Sequence, residues 1–275
     1  MESLVSTDWL AGALGAPDLV VADATLLAGE LGRDARAEYR GGHIPGAVFL
    51  DLASLRDTTS PLPNTLPDAA TMARHLEPLG LGDGARIVLY DDSPWRSAAR
   101  AWWLLRSFGI GDVAILDGGL AKWRAEGRPL STGDEVAPPR PVTPHFNEAR
   151  LRTREQVRGN LATGAEQLLD ARSRPRFTGE EPDPHGAAPG HIPGAQCIPY
   201  PRFFEGDGTW KRGDALKAVF ADVDLDAPLV ATCGSGVTAA VIAFAAHLLG
   251  REAAIYDGSW SEWGSDPASP KALGL

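Results

Sequence analysis

The stretch LVATCGSGVTAAVIAF, residues 229–244, decides the fold. Leu229 to Thr232 form a short apolar and β-branched run that leads directly into Cys233. A continuous apolar run ended by a turn signal is the pattern of a strand buried on both faces. Gly234-Ser235-Gly236 then opens a tight loop, and residues 236–250 have helical composition and stop at Gly250. Strand, tight loop and helix together make the unit of an α/β fold, a mainly parallel sheet flanked by helices. In such sheets ligands bind at the carboxyl ends of the strands, which is where Cys233 falls. A loop running into a helix N-terminus aims backbone N–H groups at one spot, and that spot stabilises an anionic thiolate or a persulfide.

Working outward, the same order of signals occurs twice. His43-Ile44-Pro45-Gly46-Ala47 recurs as His191-Ile192-Pro193-Gly194-Ala195. Ahead of each copy is an apolar run ending in Asp-Ala, LVVADA (19–24) and LLDA (168–171). Behind each lies a second run, RIVLYDD (86–92) and APLVATC (227–233), then a helical stretch, then an Asp-Gly element, LDGGLAKW (116–123) and IYDGSWSEW (255–263). Each half is long enough to hold its own core, so the pattern is a duplicated domain rather than a solenoid. The join is the stretch 129–147, with Pro129, Pro138, Pro139, Pro141 and Pro144 and no sustained apolar period. We expect one domain over 1–130, a Pro-rich linker over 131–147 and a second domain over 148–275.

Composition narrows the function. The chain has 275 residues, 44% hydrophobic and 23% charged, as in ordinary globular proteins, which argues against disorder, collagen and coiled coil. No apolar run approaches the roughly 20 residues of a membrane span, and the N-terminus has no signal-peptide pattern. A net charge of −10 with no dense Lys/Arg run argues against nucleic acid and anionic membrane as partners. Two cysteines and six scattered histidines give neither a disulfide framework nor zinc-ligand spacing. A cytoplasmic protein with reduced thiols and no metal is the expectation. Cys197, in the apolar run AQCIPY (195–200), lacks a glycine cradle and is expected to be structural.

CGSGVTAA (233–240), the paired HIPGA segments, RFTGEEPDPHG (176–186) and YDGSWSEWG (256–264) together resemble the tandem-domain rhodanese superfamily over about residues 4–264. The resemblance implies two rhodanese-like domains, a non-catalytic N-terminal one and a catalytic C-terminal one. DDSPWRS (91–97) holds no Cys where the second half has Cys233, in keeping with that division. The implied activity is two-step sulfur transfer through a Cys233 persulfide, with no metal or organic cofactor. A donor loads the cysteine. An acceptor such as cyanide, a small thiol or reduced thioredoxin then unloads it in ping-pong fashion.

Two subgroups differ in the loop. Thiosulfate enzymes resemble C-R-K-G-V-T; here the two cationic positions are Gly234 and Ser235, which resembles the mercaptopyruvate subgroup and favours that donor. By the same resemblance, Arg176 clamps the donor's carboxylate, and His185 stands where the family has a second Arg. Gly234, Gly236, Val237 and Thr238 complete the binding loop, with Ser235 as a catalytic partner of Cys233. The family also pairs the loop serine with a His and an acid. Asn64 stands at the His position and Ala53 at the acid position, so a Ser–His–acid relay is not available. His43 and His191 recur in both halves and read as architectural, and Trp260 and Trp263 as core aromatics. A cysteine phosphatase would need an Arg at Ala239 to bind phosphate. A non-catalytic binding protein would not need the nucleophile and its glycine loop.

Overall fold

The structure, a computed structural model, describes residues 1–27, 32–184 and 186–275. These form two compact units. The first comprises Met1–Thr58, Leu66–Phe146 and Glu205–Trp210, and the second Thr59–Thr65, Asn147–Phe204 and Lys211–Leu275.

In the first unit the described elements run β1 (Leu4–Val5), α1 (Thr7–Ala13), β2 (Leu19–Asp23), α2 (Ala35–Gly41), β3 (Val48–Phe49), α3 (Ala69–Leu76), β4 (Arg86–Tyr90), α4 (Ala98–Ser107), β5 (Val113–Leu116) and α5 (Gly119–Ala125). The second unit repeats the plan with β6 (Leu151–Arg152), α6 (Arg154–Thr163), β7 (Gln167–Asp170), α7 (Arg174–Thr178), β8 (Gln196–Cys197), α8 (Gly213–Lys217), β9 (Leu229–Thr232), α9 (Ala239–Leu248), β10 (Ala253–Tyr256) and α10 (Ser259–Trp263). The sheets have the same order, β1-β5-β4-β2-β3 and β6-β10-β9-β7-β8, and every described strand pair is parallel. The apolar runs of both halves are therefore the strands of two α/β sheets, covered by helices as parallel sheets require.

β4 and β9 lie inside their sheets and are buried almost throughout. Each runs into a helix that the sequence makes apolar. Ala239 to Ala246 of α9 are all buried, and α4 buries Trp102 and Trp103. Gly109 and Gly250 follow these helices with φ of 84° and 73°, the left-handed conformation that glycine adopts without a Cβ clash.

The Pro-rich stretch expected as a linker lies along the first unit as far as Phe146. Asp83 N–H donates to Pro141 O (2.8 Å), His145 N–H to Phe108 O (2.9 Å) and Arg140 to Pro17 O (2.7 Å). A Cβ at Gly82 would lie 2.3 Å from Pro141 O, so glycine is what lets the strap lie this close. Prolines lack N–H groups, but their carbonyls still accept hydrogen bonds, which is how the strap is held. Two short segments, Thr59–Thr65 and Glu205–Trp210, group with the opposite half of the sequence from their neighbours.

The two HIPGA segments have the same structural role. His43 Nδ1 lies 2.8 Å from Tyr39 O with its ring stacked on Tyr39. His191 Nδ1 lies 2.9 Å from Phe177 O with its ring stacked on Phe177 at 3.7 Å. Both histidines are buried, and each pairs its backbone with a distant segment, Ser131 and Ala272 respectively. Among the described residues no helix is long and apolar enough to cross a membrane.

Candidate active site

Cys233 follows the last residue of β9 and is buried. The loop Cys233–Thr238 then turns into α9. Gly236, at φ 84°, directs its N–H at the Cys233 sulfur, 3.1 Å away. The loop is pinned from the start of α10. Trp260 N–H donates to Cys233 O (3.0 Å), and both Ser261 N–H and Ser261 Oγ–H donate to Gly234 O at 2.8 Å. Ser259 Oγ accepts from Cys233 N–H (3.3 Å), lies 4.0 Å from the sulfur, and donates to Tyr256 O. Ser259 is fully buried and held at φ 51°, a strained conformation for a residue with a Cβ.

Arg176 reaches this loop from α7. Its Nη2 lies 2.8 Å from where a Cβ on Gly234 would stand, so glycine at 234 is the condition for the guanidinium to approach. Nη2 also donates to Asp183 (2.7 Å), whose side chain is buried, while the buried Nε has no hydrogen-bond partner among the described residues. The side chain is 24% exposed, so the cation is positioned by Asp183 yet reachable from solvent. Val237 is buried, and Thr238 stands at the N-cap of α9 without a side-chain cap bond. Ser235 is half-buried and accepts a hydrogen bond from Asn64 Nδ2 at 3.2 Å. His185 lies outside the described residues. Ala239 begins α9 and is buried, so no phosphate-binding Arg occupies that position.

Cys197 is set apart from this arrangement. It ends β8 half-buried, its thiol donating weakly to Arg172 O at 3.8 Å. Burial, with the nearby Asp170 carboxylate, pushes its thiol up to about 11. At neutral pH it is a thiol and a poor nucleophile.

Some site features carried no sequence assignment. Asp170 and Arg172 form a buried ion pair, with Nη2 to Oδ2 at 2.7 Å, and the guanidinium lies 4.5 Å from the centre of the Trp260 ring. Its Nη2 also donates to Gly190 O. The pair joins the end of β7, Gly190 just ahead of the HIPGA turn, and Trp260 of α10. The only sequence signal for it was Asp-x-Arg at the end of a buried strand. Asp183 was visible inside EPDPHG, but nothing local names Arg176 as its partner. Ser259 could be read as a helix start, whereas its contact with Cys233 arises from adjacent strands.

The rhodanese-like domain family matches the chain twice, over residues 6–126 and 153–266. The chain belongs to the rhodanese family. It is 42% identical over 272 residues to human 3-mercaptopyruvate sulfurtransferase, covering 95% of this chain and 92% of that protein. It is 42% identical over 274 residues to a thiosulfate sulfurtransferase of Cricetulus griseus, with the same coverage. The crystal structure of a 3-mercaptopyruvate sulfotransferase from Escherichia coli superposes with a TM-score of 0.87 at 38% identity, covering 95% of this chain and all of that one. The two family matches fall on the two sheets described above, so each unit is built around one rhodanese-like domain.

Proposed function

We propose that this rhodanese-family protein is a sulfurtransferase that carries sulfane sulfur on Cys233, with 3-mercaptopyruvate as the favoured donor. The observation that carries the reading is the Cys233 sulfur facing the Gly236 N–H at 3.1 Å, with the Arg176 guanidinium packed over Gly234 of the same loop. An N–H donor at the sulfur stabilises negative charge there, whether on thiolate or persulfide. Arg176 supplies the cation for a donor carboxylate through a charge-assisted hydrogen bond. Asp183 already balances part of its charge, which suits a monocarboxylate better than a dianion such as thiosulfate. No side-chain cation stands at 234 or 235. Ser235 serves as a hydrogen-bond donor, and Gly234, Gly236, Val237 and Thr238 form the wall of the site.

In the loading step the Cys233 thiolate attacks the mercapto sulfur. An S–S bond forms and the donor's C–S bond breaks, its electron pair passing into an enolate of pyruvate. In the second step cyanide, a small thiol or reduced thioredoxin attacks the outer sulfur and Cys233 leaves as thiolate. The first unit, with Asp91 at the corresponding strand end, takes no covalent part. The same reading places the protein in the cytoplasm, where both thiols stay reduced.

Incubation with mercaptopyruvate should add about 32 Da, one sulfur, to the peptide holding Cys233. Steady-state rates with mercaptopyruvate and thiosulfate side by side should favour the former in kcat/KM. A sulfur adduct on Cys197 instead, or no adduct from either donor, refutes the assignment.

A further inference from the structure

We propose that Asn64 is a positioning residue that makes Ser235 a one-way hydrogen-bond donor to the carbonyl oxygen of the sulfur donor; this deepens the sulfurtransferase reading and rests on it. Residues Thr59–Thr65 pack with the second unit. Leu62 N–H donates to Ser60 Oγ at 3.2 Å, a turn that shapes this segment. Asn64 itself sits at φ 57°, a left-handed conformation that asparagine tolerates better than other residues with a side chain. From there its Nδ2 donates to Ser235 Oγ at 3.2 Å, across 171 residues of sequence.

The direction of that bond sets the chemistry. An amide nitrogen donates and cannot accept, whereas a hydroxyl has one hydrogen and two acceptor sites. With Nδ2 pointing at its oxygen, Ser235 cannot give its hydrogen back to Nδ2. The hydrogen is turned away from Nδ2 and is available to a group entering the loop that holds the Cys233 sulfur. Negative charge develops on the carbonyl oxygen of mercaptopyruvate as the C–S bond breaks, and a preset donor stabilises it there.

The proton balance permits this. The thiolate and the mercaptopyruvate monoanion give an ionised persulfide and the pyruvate monoanion. The hydrogen lost from sulfur to solvent is matched by one gained by the enolate carbon from solvent. No net proton is taken up or released, so the pair needs only to stabilise charge and no side chain must act as a base.

The test uses the ratio of kcat for mercaptopyruvate to kcat for thiosulfate in the full chain, since thiosulfate cleavage forms no enolate. Asn64→Asp replaces the donor with an acceptor and draws the Ser235 hydrogen to itself. The ratio should fall about tenfold at neutral pH and recover as the carboxyl is protonated at lower pH. Asn64→Ala should lower it less, about threefold, with no such recovery. In a cycle with Ser235→Ala, either Asn64 change should add little, because the hydroxyl it orients is gone. An unchanged ratio in both Asn64 variants, or full additivity with Ser235→Ala, overturns the proposal. If Asn64→Asp does not fold, Asn64→Ala and its cycle decide alone. Sulfur loading of Cys233 is followed by mass throughout. Loading with an unaltered ratio removes only the role of Asn64, whereas no loading in the parent protein removes the sulfurtransferase reading.

Discussion

After β4 the chain places Asp91 where, after β9, it places Cys233. The framework around the two residues is the same. Asp91 O accepts from Leu120 N–H at 3.1 Å and Cys233 O from Trp260 N–H at 3.0 Å. Gly119 and Ser259 share a left-handed conformation, with φ of 58° and 51°. Both loops also offer N–H groups to their first side chain. Ser93 N–H and Ala98 N–H donate to the Asp91 carboxylate at 3.0 and 2.7 Å, as Gly236 N–H donates to the Cys233 sulfur. The framework thus holds a potential anion in either unit, and does not by itself make a nucleophile.

The surroundings of the loops separate them. In the first unit hydroxyls stitch the loop to the end of β2. Ser97 Oγ donates to Ala24 O and Ser93 Oγ to Leu26 O, both at 2.7 Å, and Asp92 N–H donates to Thr25 Oγ1. In the second unit the corresponding segment carries Arg172, bound to Asp170, and Arg176, which reaches the loop as a cation. Asp23, the counterpart of Asp170, faces Thr25 rather than an arginine, and burial holds its carboxyl above the ordinary range. The second unit brings a thiol, the Gly236 N–H and the Arg176 guanidinium to one loop, whereas the corresponding strand end of the first unit carries the Asp91 carboxylate, on which the Arg96 charge acts.

The largest effect tests the nucleophile. Cys233→Ser should lower sulfur transfer by at least about 10⁴-fold, as loss of a covalent nucleophile does, while Cys197→Ser stays close to the parent rate. Iodoacetamide should label Cys233 in preference to Cys197 near neutral pH. Dominant labelling of Cys197 there would contradict its thiol being held at about 11.

The comparison can then be broken on purpose. Asp91→Cys in a Cys233→Ser background puts a thiol into the first cradle. It should recover under about 1% of the parent rate, because hydroxyls stitch that loop to the end of β2 and the loop's own arginine, Arg96, lies with its guanidinium against Gly208. Substantial recovery would mean that the framework alone suffices.

A pH experiment addresses Asp91 where it stands. Burial raises its carboxyl from 3.8 to about 6, against the opposing pull of the Ala98 and Ser93 N–H groups. The folded state therefore binds the proton more tightly than the unfolded chain, and stability is lost as pH rises from about 4 to about 6. The contribution is about 3 kcal/mol, from roughly two pK units. The Asp91 carboxyl ¹³C resonance should titrate near pH 6, and Asp91→Asn should remove this part of the pH dependence. A midpoint at or below 3.8 would show that the N–H groups offset or outweigh burial.

Arg176→Ala should raise KM for mercaptopyruvate about 10- to 100-fold, the loss of one charge-assisted hydrogen bond, and should also lower the melting temperature, because it takes the guanidinium away from the buried Asp183 carboxylate. Gly234→Ala should act in the same direction and more weakly, since its Cβ would stand 2.8 Å from Arg176 Nη2 and displace the guanidinium. Unaltered KM in both would detach Arg176 from the site.

Much of this was legible along the chain because it is local. Strand, Cys-Gly-Ser-Gly and helix lie within residues 229–248, and the duplication is carried by repeats such as HIPGA. The architectural role of His43 and His191 was legible from their recurrence in both halves, whereas the ring that His191 stacks on, Phe177, lies 14 residues away. The docking of residues 131–146 on the first unit was not legible, because a Pro-rich pattern says what the segment cannot form and not where its carbonyls will be accepted.

The sequence alone determined the duplicated α/β architecture and the placing of one cysteine at the end of a central strand, because apolar period and glycine position act over a few residues. Tertiary structure decided which side chains meet that cysteine. Ser259 and Cys233 are 26 residues apart, and Asn64 and Ser235 are 171 residues apart. Arg176 gains its place from buried Asp183 and from the missing Cβ of Gly234. These contacts depend on strand order and close packing, which join distant residues through space and leave no spacing pattern in the chain.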